Sequence, residues 1–135
     1  MSYSGKLRNE RTIGAGELGL SAVTLAAART SSSFDVSGWS YLVLYVNFTY
    51  AAASDNTITI EFSPDKGTTW FMDQTIAVSS GTATLSDLTY SKTLSASDTY
   101  RVVLTLHSDD YARITIDGTS GGASDLVTVT AKLVN

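Results

Sequence analysis

From residue 18 to the C-terminus the sequence repeats one pattern: short runs in which apolar and polar residues alternate, separated by clusters of serine, aspartate and glycine. Alternation with a period of two is the mark of a strand that buries one face. The strongest run is Tyr41 to Tyr50, with Leu42, Leu44, Val46, Phe48 and Tyr50 on one side and Tyr41, Val43, Tyr45, Asn47 and Thr49 on the other. Ile58, Ile60 and Phe62 form a second inward set, and Tyr100, Val102, Leu104 and Leu106 a third. Ala112, Ile114 and Ile116, and then Val127, Val129, Ala131 and Leu133, complete the series.

Weaker stretches lie between these runs. Leu18 to Ala28 is read as a strand, although its alanines also suit a helix. Thr68 to Asp73 and Gln74 to Val78 are expected to continue the sheet, and a Ser79-Ser80-Gly81 turn leads into a threonine-rich stretch ending at Leu94. Asp117-Gly118 through Asp125 reads as a flexible loop. The sum is roughly eight or nine strands at about ten-residue spacing, the pattern of a sandwich or barrel. The expected fold is therefore all-β, an antiparallel β-sandwich over residues 18–135, with a short N-terminal arm over residues 1–17. A jelly roll is preferred to an immunoglobulin-like arrangement, because the strand count is high and no Cys…Trp…Cys pattern exists.

Composition supports this reading and narrows the function. The chain has 135 residues, enough for one domain with a core of its own. Only 16% of it is charged, and 19 serines and 19 threonines fill the gap, which favours pleated strands and turns. With no cysteine, neither a disulfide framework nor a thiolate metal site can form. No apolar run is long enough to span a membrane, and the polar start MSYSGKLRNERT lacks the core of a signal peptide. Synthesis in a cytoplasm, without export, is the expectation. The net charge of −4 disfavours nucleic acid as a partner. That charge is uneven: residues 1–17 carry Lys6, Arg8 and Arg11 against Glu10 and Glu17, or +1, leaving −5 for the rest.

Catalysis finds little support. His107 is the only histidine, so any serine–histidine–aspartate triad must run through it, and beside Ser108-Asp109-Asp110 it reads as a solvated turn. The sequence has no nucleophile elbow and no phosphate loop. No catalytic, cofactor or metal residues are assigned, and the chain is expected not to be an enzyme. The candidates for contact are instead Tyr3, Leu7, Arg8, Arg11 and Ile13 in the arm, which a neighbouring subunit could order, and Tyr41, Val43 and Tyr45. The last three occupy the face of their strand that should be polar if water covered it. Another segment of the chain, another subunit or a carbohydrate could cover that face; Trp39 and Trp70 join Tyr41 and Tyr45 as candidates for the carbohydrate reading.

SPDKGTTW, residues 63–70, resembles the Asp-box hairpin of sialidases and other β-propeller enzymes. The resemblance implies that Ser63, Asp65 and Gly67 shape a turn and that Trp70 packs across it, a structural role remote from catalysis. One copy of the motif in 135 residues excludes a propeller. In the order of its blocks the chain also resembles small tailed-phage virion proteins. These are a short arm, FDVSGWSYLVLYVNFT at 34–49, ITIEFSPDKGTTWF at 58–71, YRVVLTL at 100–106 and a threonine-rich last strand, together about half the sequence. That resemblance implies a capsid decoration (cement) protein in the virion, bound to the major capsid protein or other virion proteins and assembled as a homo-oligomer, with a trimer favoured. A tail-associated structural protein is the alternative from the same class, and a carbohydrate-binding module the alternative from another.

Overall fold

The computed structural model describes residues 9–49, 54–119 and 125–135. In chain order the elements are β1 (Glu10–Ile13), α1 (Ala15–Leu18), β2 (Val23–Thr24), β3 (Arg29–Thr30), β4 (Phe34–Asp35), β5 (Tyr41–Thr49), β6 (Ser54–Ser63) and β7 (Phe71–Met72). Then follow β8 (Gln74–Ser79), β9 (Thr82–Asp87), β10 (Thr89–Leu94), β11 (Asp98–Thr105), β12 (Tyr111–Thr119) and β13 (Leu126–Val134). One sheet runs β1-β13-β5-β11, with β2 also on β13; the other runs β10-β6-β12-β3, with β4 on β12 and β7 on β6. Every pairing is antiparallel.

Several short strands are pieces of one interrupted strand. β1 and β2 pair with opposite ends of β13, at residues 131–134 and 126–127. Between them the chain detours through α1, which Gly19 ends in the left-handed region at φ 74°. It then follows β13 again: the Val129 amide donates to the Leu20 carbonyl at 3.0 Å. β3 and β4 likewise share β12, and Ser31 spans the gap between them. Its amide donates to the Ile114 carbonyl at 2.7 Å, and its Oγ accepts from the Ile114 amide at 2.9 Å. β7 and β10 share one edge of β6 in the same way. When these pairs are merged, the first sheet holds the first, eighth, third and sixth strands of the chain, and the second holds the second, seventh, fourth and fifth. That interleaving is a jelly roll, two Greek keys laid face to face.

The inward sets meet between the sheets. Leu42, Leu44, Phe48, Ile58, Ile114, Ile116, Val127, Val129, Ala131 and Leu133 are fully buried, and Ile60 and Phe62 are buried with them. The side chain of Tyr50 lies outside the described residues. Ile13, Leu18, Leu20 and Leu25, from the interrupted first strand, close the same core.

Four expectations need correction. Leu18 to Ala28 is not one strand: its alanines do not alternate with anything apolar, and only Val23–Thr24 joins a ladder. Of the stretch 68–78, only Phe71–Met72 continues the sheet; β8 pairs with β9 alone and leaves it. The threonine-rich stretch to Leu94 is two strands, β9 in that hairpin and β10 in the main sheet. Asp117, Gly118 and Thr119 belong to β12, paired with Thr57, Asn56 and Asp55, so the loop begins later.

Candidate interaction surface

Register fixes what the outer face of the first sheet presents. β5 lies between β13 and β11, so its outward residues sit in rows of three: Thr128–Asn47–Thr99, Thr130–Tyr45–Arg101, Lys132–Val43–Val103 and Val134–Tyr41–Thr105. Successive rows are two residues apart, about 6.8 Å along the strands. Tyr41 and Tyr45 are 45% and 41% exposed and Val103 is 55% exposed, with Val43 half-buried between them. No other segment of the described chain covers this face. A shallow concavity of about 420 Å3 lies at its upper rows, with Tyr45, Asn47, Thr99, Arg101, Thr128 and Thr130 in its lining. Arg101 makes no ion pair among the described residues, whereas Lys132 approaches Glu10 at 3.8 Å.

A second apolar surface comes from the β8–β9 hairpin. β7 and β10 leave β6 unpaired near Ile60, and the chain exits there, closed at its base by the Leu88 amide donating to the Asp73 carbonyl at 2.8 Å. Ser80 and Gly81 both have positive φ, 49° and 77°, as a tight two-residue turn requires. One face of the hairpin carries the pairs Gln74–Asp87, Ile76–Leu85 and Val78–Ala83. Ile76, Val78 and Leu85 are 67%, 72% and 61% exposed.

The arm candidates divide. Tyr3, Leu7 and Arg8 lie outside the described residues. Arg11 is exposed on the edge strand, 3.7 Å from Glu17. Ile13 is corrected: its side chain is fully buried in the core, because the last residue of β1 points between the sheets opposite Ala131.

The SPDKGTTW residues build a turn at the end of β6. Ser63 is buried, and its Oγ accepts from the Gly67 amide at 2.7 Å and the Asp65 amide at 3.3 Å while donating to Asp65 Oδ1 at 2.8 Å. Asp65 Oδ1 also accepts from the Thr69 amide at 2.8 Å. That bond first, and the Ser63 hydroxyl second, hold the Asp65 carboxyl below the usual carboxylate range. Gly67 sits at φ 90°, which disfavours any side chain, and an added Cβ would lie 3.6 Å from both Trp70 and Tyr111. Trp70 therefore packs down on the turn, and the Arg113 guanidinium stacks on its ring at 4.2 Å. Arg113 in turn bonds Glu61 through two nitrogens, at 2.9 and 3.1 Å. The Ser63 hydroxyl and Asp65 Oδ1 are both spent on the turn.

His107 is exposed beside Ser108, whose φ is 63°. Burial first, and the nearby Asp73 second, push the Asp109 carboxyl up. Among the described residues no group of three or more histidine, aspartate or glutamate side chains is placed to hold a metal ion, and no helix is long and apolar enough to cross a membrane.

Sequence reasoning singled out Tyr41, Val43 and Tyr45 but missed Val103, Ile76, Val78 and Leu85. The signal for Val103 was available, since it is the outward residue between Val102 and Leu104. For the hairpin, two six-residue runs of equal length around Ser80-Gly81 were the clue. No protein-family model matches the chain, and no curated protein matches its sequence.

Proposed function

We propose that this chain is a non-enzymatic structural protein of a virion, acting as a capsid decoration protein that binds the major capsid protein and reinforces its contacts. One observation carries the reading: a closed jelly-roll body presents an uncovered apolar strip, Tyr41, Val43, Tyr45 and Val103, on its outer sheet face. Soluble monomers rarely leave such strips open unless they mark a contact. A rigid two-sheet body suits a clamp that must not deform, and many identical weak contacts over a shell sum through effective concentration. The order of sequence blocks supports the virion setting.

Titrating the purified protein onto expanded, undecorated capsids tests the proposal. Saturable binding that Tyr45→Ala weakens is the expected result, and no saturable binding removes the decoration role. Immunolabelled virions separate head from tail. The concavity beside Tyr45 and Arg101 favours a second reading, a carbohydrate-binding module, because an aromatic ring flanked by hydrogen-bonding side chains suits a sugar. A glycan array without hits eliminates it.

A further inference from the structure

We propose that the β8–β9 hairpin docks on the outer face of the first sheet of a second copy of this chain, laying Ile76, Val78 and Leu85 over Val43, Val103 and Tyr41. A two-stranded hairpin standing alone in water is marginally stable at best. This one keeps a full six-pair ladder while its aliphatic side chains face outward on one side only. It needs a partner of matching shape.

The outer sheet face supplies one, row by row. On the hairpin, two-residue steps run from Gln74–Asp87 to Ile76–Leu85 to Val78–Ala83. On the sheet, the same steps run from Tyr45–Arg101 to Val43–Val103 to Tyr41–Thr105. Both are pleated surfaces with the same spacing, so a carboxylate followed by Ile76, Leu85 and Val78 meets a guanidinium followed by Val43, Val103 and the Tyr41 ring, with Thr105 beside that ring. Among the described residues neither charge has an ionic partner within its own chain: Asp87 accepts only from the Gln74 amide group, at 2.7 Å, and Arg101 makes no ion pair. Pairing them across the contact fixes register and suppresses the reversed orientation.

The area is adequate for a specific contact. Three aliphatic side chains about two-thirds exposed, facing a comparable strip, remove on the order of 600 Å2 of apolar surface, and the flanking polar rows bring the total near the 1,200 Å2 at which specific interfaces begin. The two surfaces differ, so each copy can donate one hairpin and receive another, which closes a ring or a reciprocal pair. The inference does not rest on the virion reading, since the purified chain alone tests it; the hairpin and a capsid would compete for the same strip.

The test is complementation. Ile76→Asp spoils only the donor and Val103→Asp only the receiver; both positions are exposed, and circular dichroism checks that each variant folds. Light scattering and sedimentation of the wild type across concentration should show association. Each variant alone should need at least about ten-fold more protein to associate. An equimolar mixture of the two should recover two-chain species, because the hairpin of Val103→Asp and the sheet face of Ile76→Asp are both intact. A monomeric wild type overturns the proposal. So does an oligomer that either substitution leaves unchanged, or a mixture that stays as dissociated as its parts.

Discussion

Replacing Ser63 with alanine removes one buried oxygen that serves three hydrogen bonds, to the Gly67 amide, the Asp65 amide and the Asp65 carboxylate. The Asp65 groups are exposed and recover bonds with water. The Gly67 amide is part-buried beneath Trp70 and does not, so it bears most of the penalty for a donor left unmade. That penalty comes to about 2 kcal/mol. At about 2.1 cal/mol/K of unfolding entropy per residue, a chain of this length should melt about 7 °C lower. Urea unfolding followed by tryptophan fluorescence and by circular dichroism measures the loss. Thr68→Ala is the control: the Thr68 side chain is exposed and makes no hydrogen bond among the described residues, so its effect should stay within about 0.5 kcal/mol. If Ser63→Ala falls inside that same range, the turn is held by its backbone and the account of the motif is refuted.

Four further outcomes follow from the core, the Arg113 cluster and the titrating groups. Ile114→Ala, at a fully buried position between the sheets, should cost about 2–5 kcal/mol in the same unfolding assay. Arg113→Lys keeps the charge but loses the two-pronged bond to Glu61 and the flat stack on Trp70; about 1 kcal/mol is expected from thermal melting. Asp35, Asp65 and Asp98 are held below their ordinary value of 3.8, chiefly by the Ser37 hydroxyl, the Thr69 amide and Lys92 respectively. Their folded-state pKa values lie below the unfolded ones, so their contribution is complete above about pH 4 and fades as the pH falls through the folded values. Asp109 works in the opposite sense: its raised pKa means the charged form opposes folding at neutral pH. Asp109→Asn should therefore raise the melting temperature at pH 7 and have no such effect below pH 3, where the wild-type carboxyl is already neutral.

The strands that bury one face were legible because alternation directly reports the pleat. Leu42 to Phe48 and Val127 to Leu133 fell into place for that reason, and the strand count with the missing Cys…Trp…Cys pattern pointed to the jelly roll. Alternation does not report which strand lies alongside. Ile76 and Val78 alternate as regularly as Ile58 and Ile60, so a hairpin that leaves the sheet read as part of it. Interrupted edge strands were also opaque. Between Leu18 and Leu25 the buried positions follow a helix, a left-handed glycine and a loop, and their spacing has no single period. The outer sheet face was half legible: Tyr41 and Tyr45 stood out as misplaced, while Val103 became meaningful only when register set it beside Val43.

Hydrogen–deuterium exchange on the protein free and bound to expanded capsids tests most directly whether the uncovered apolar surfaces are its working parts. The account predicts that protection concentrates in residues 41–49 and 98–105 when the dilute, dissociated protein binds capsids, and that wherever the free protein self-associates the same residues are protected together with 74–87. Protection confined to the opposite sheet, or to the loop around His107, would contradict it.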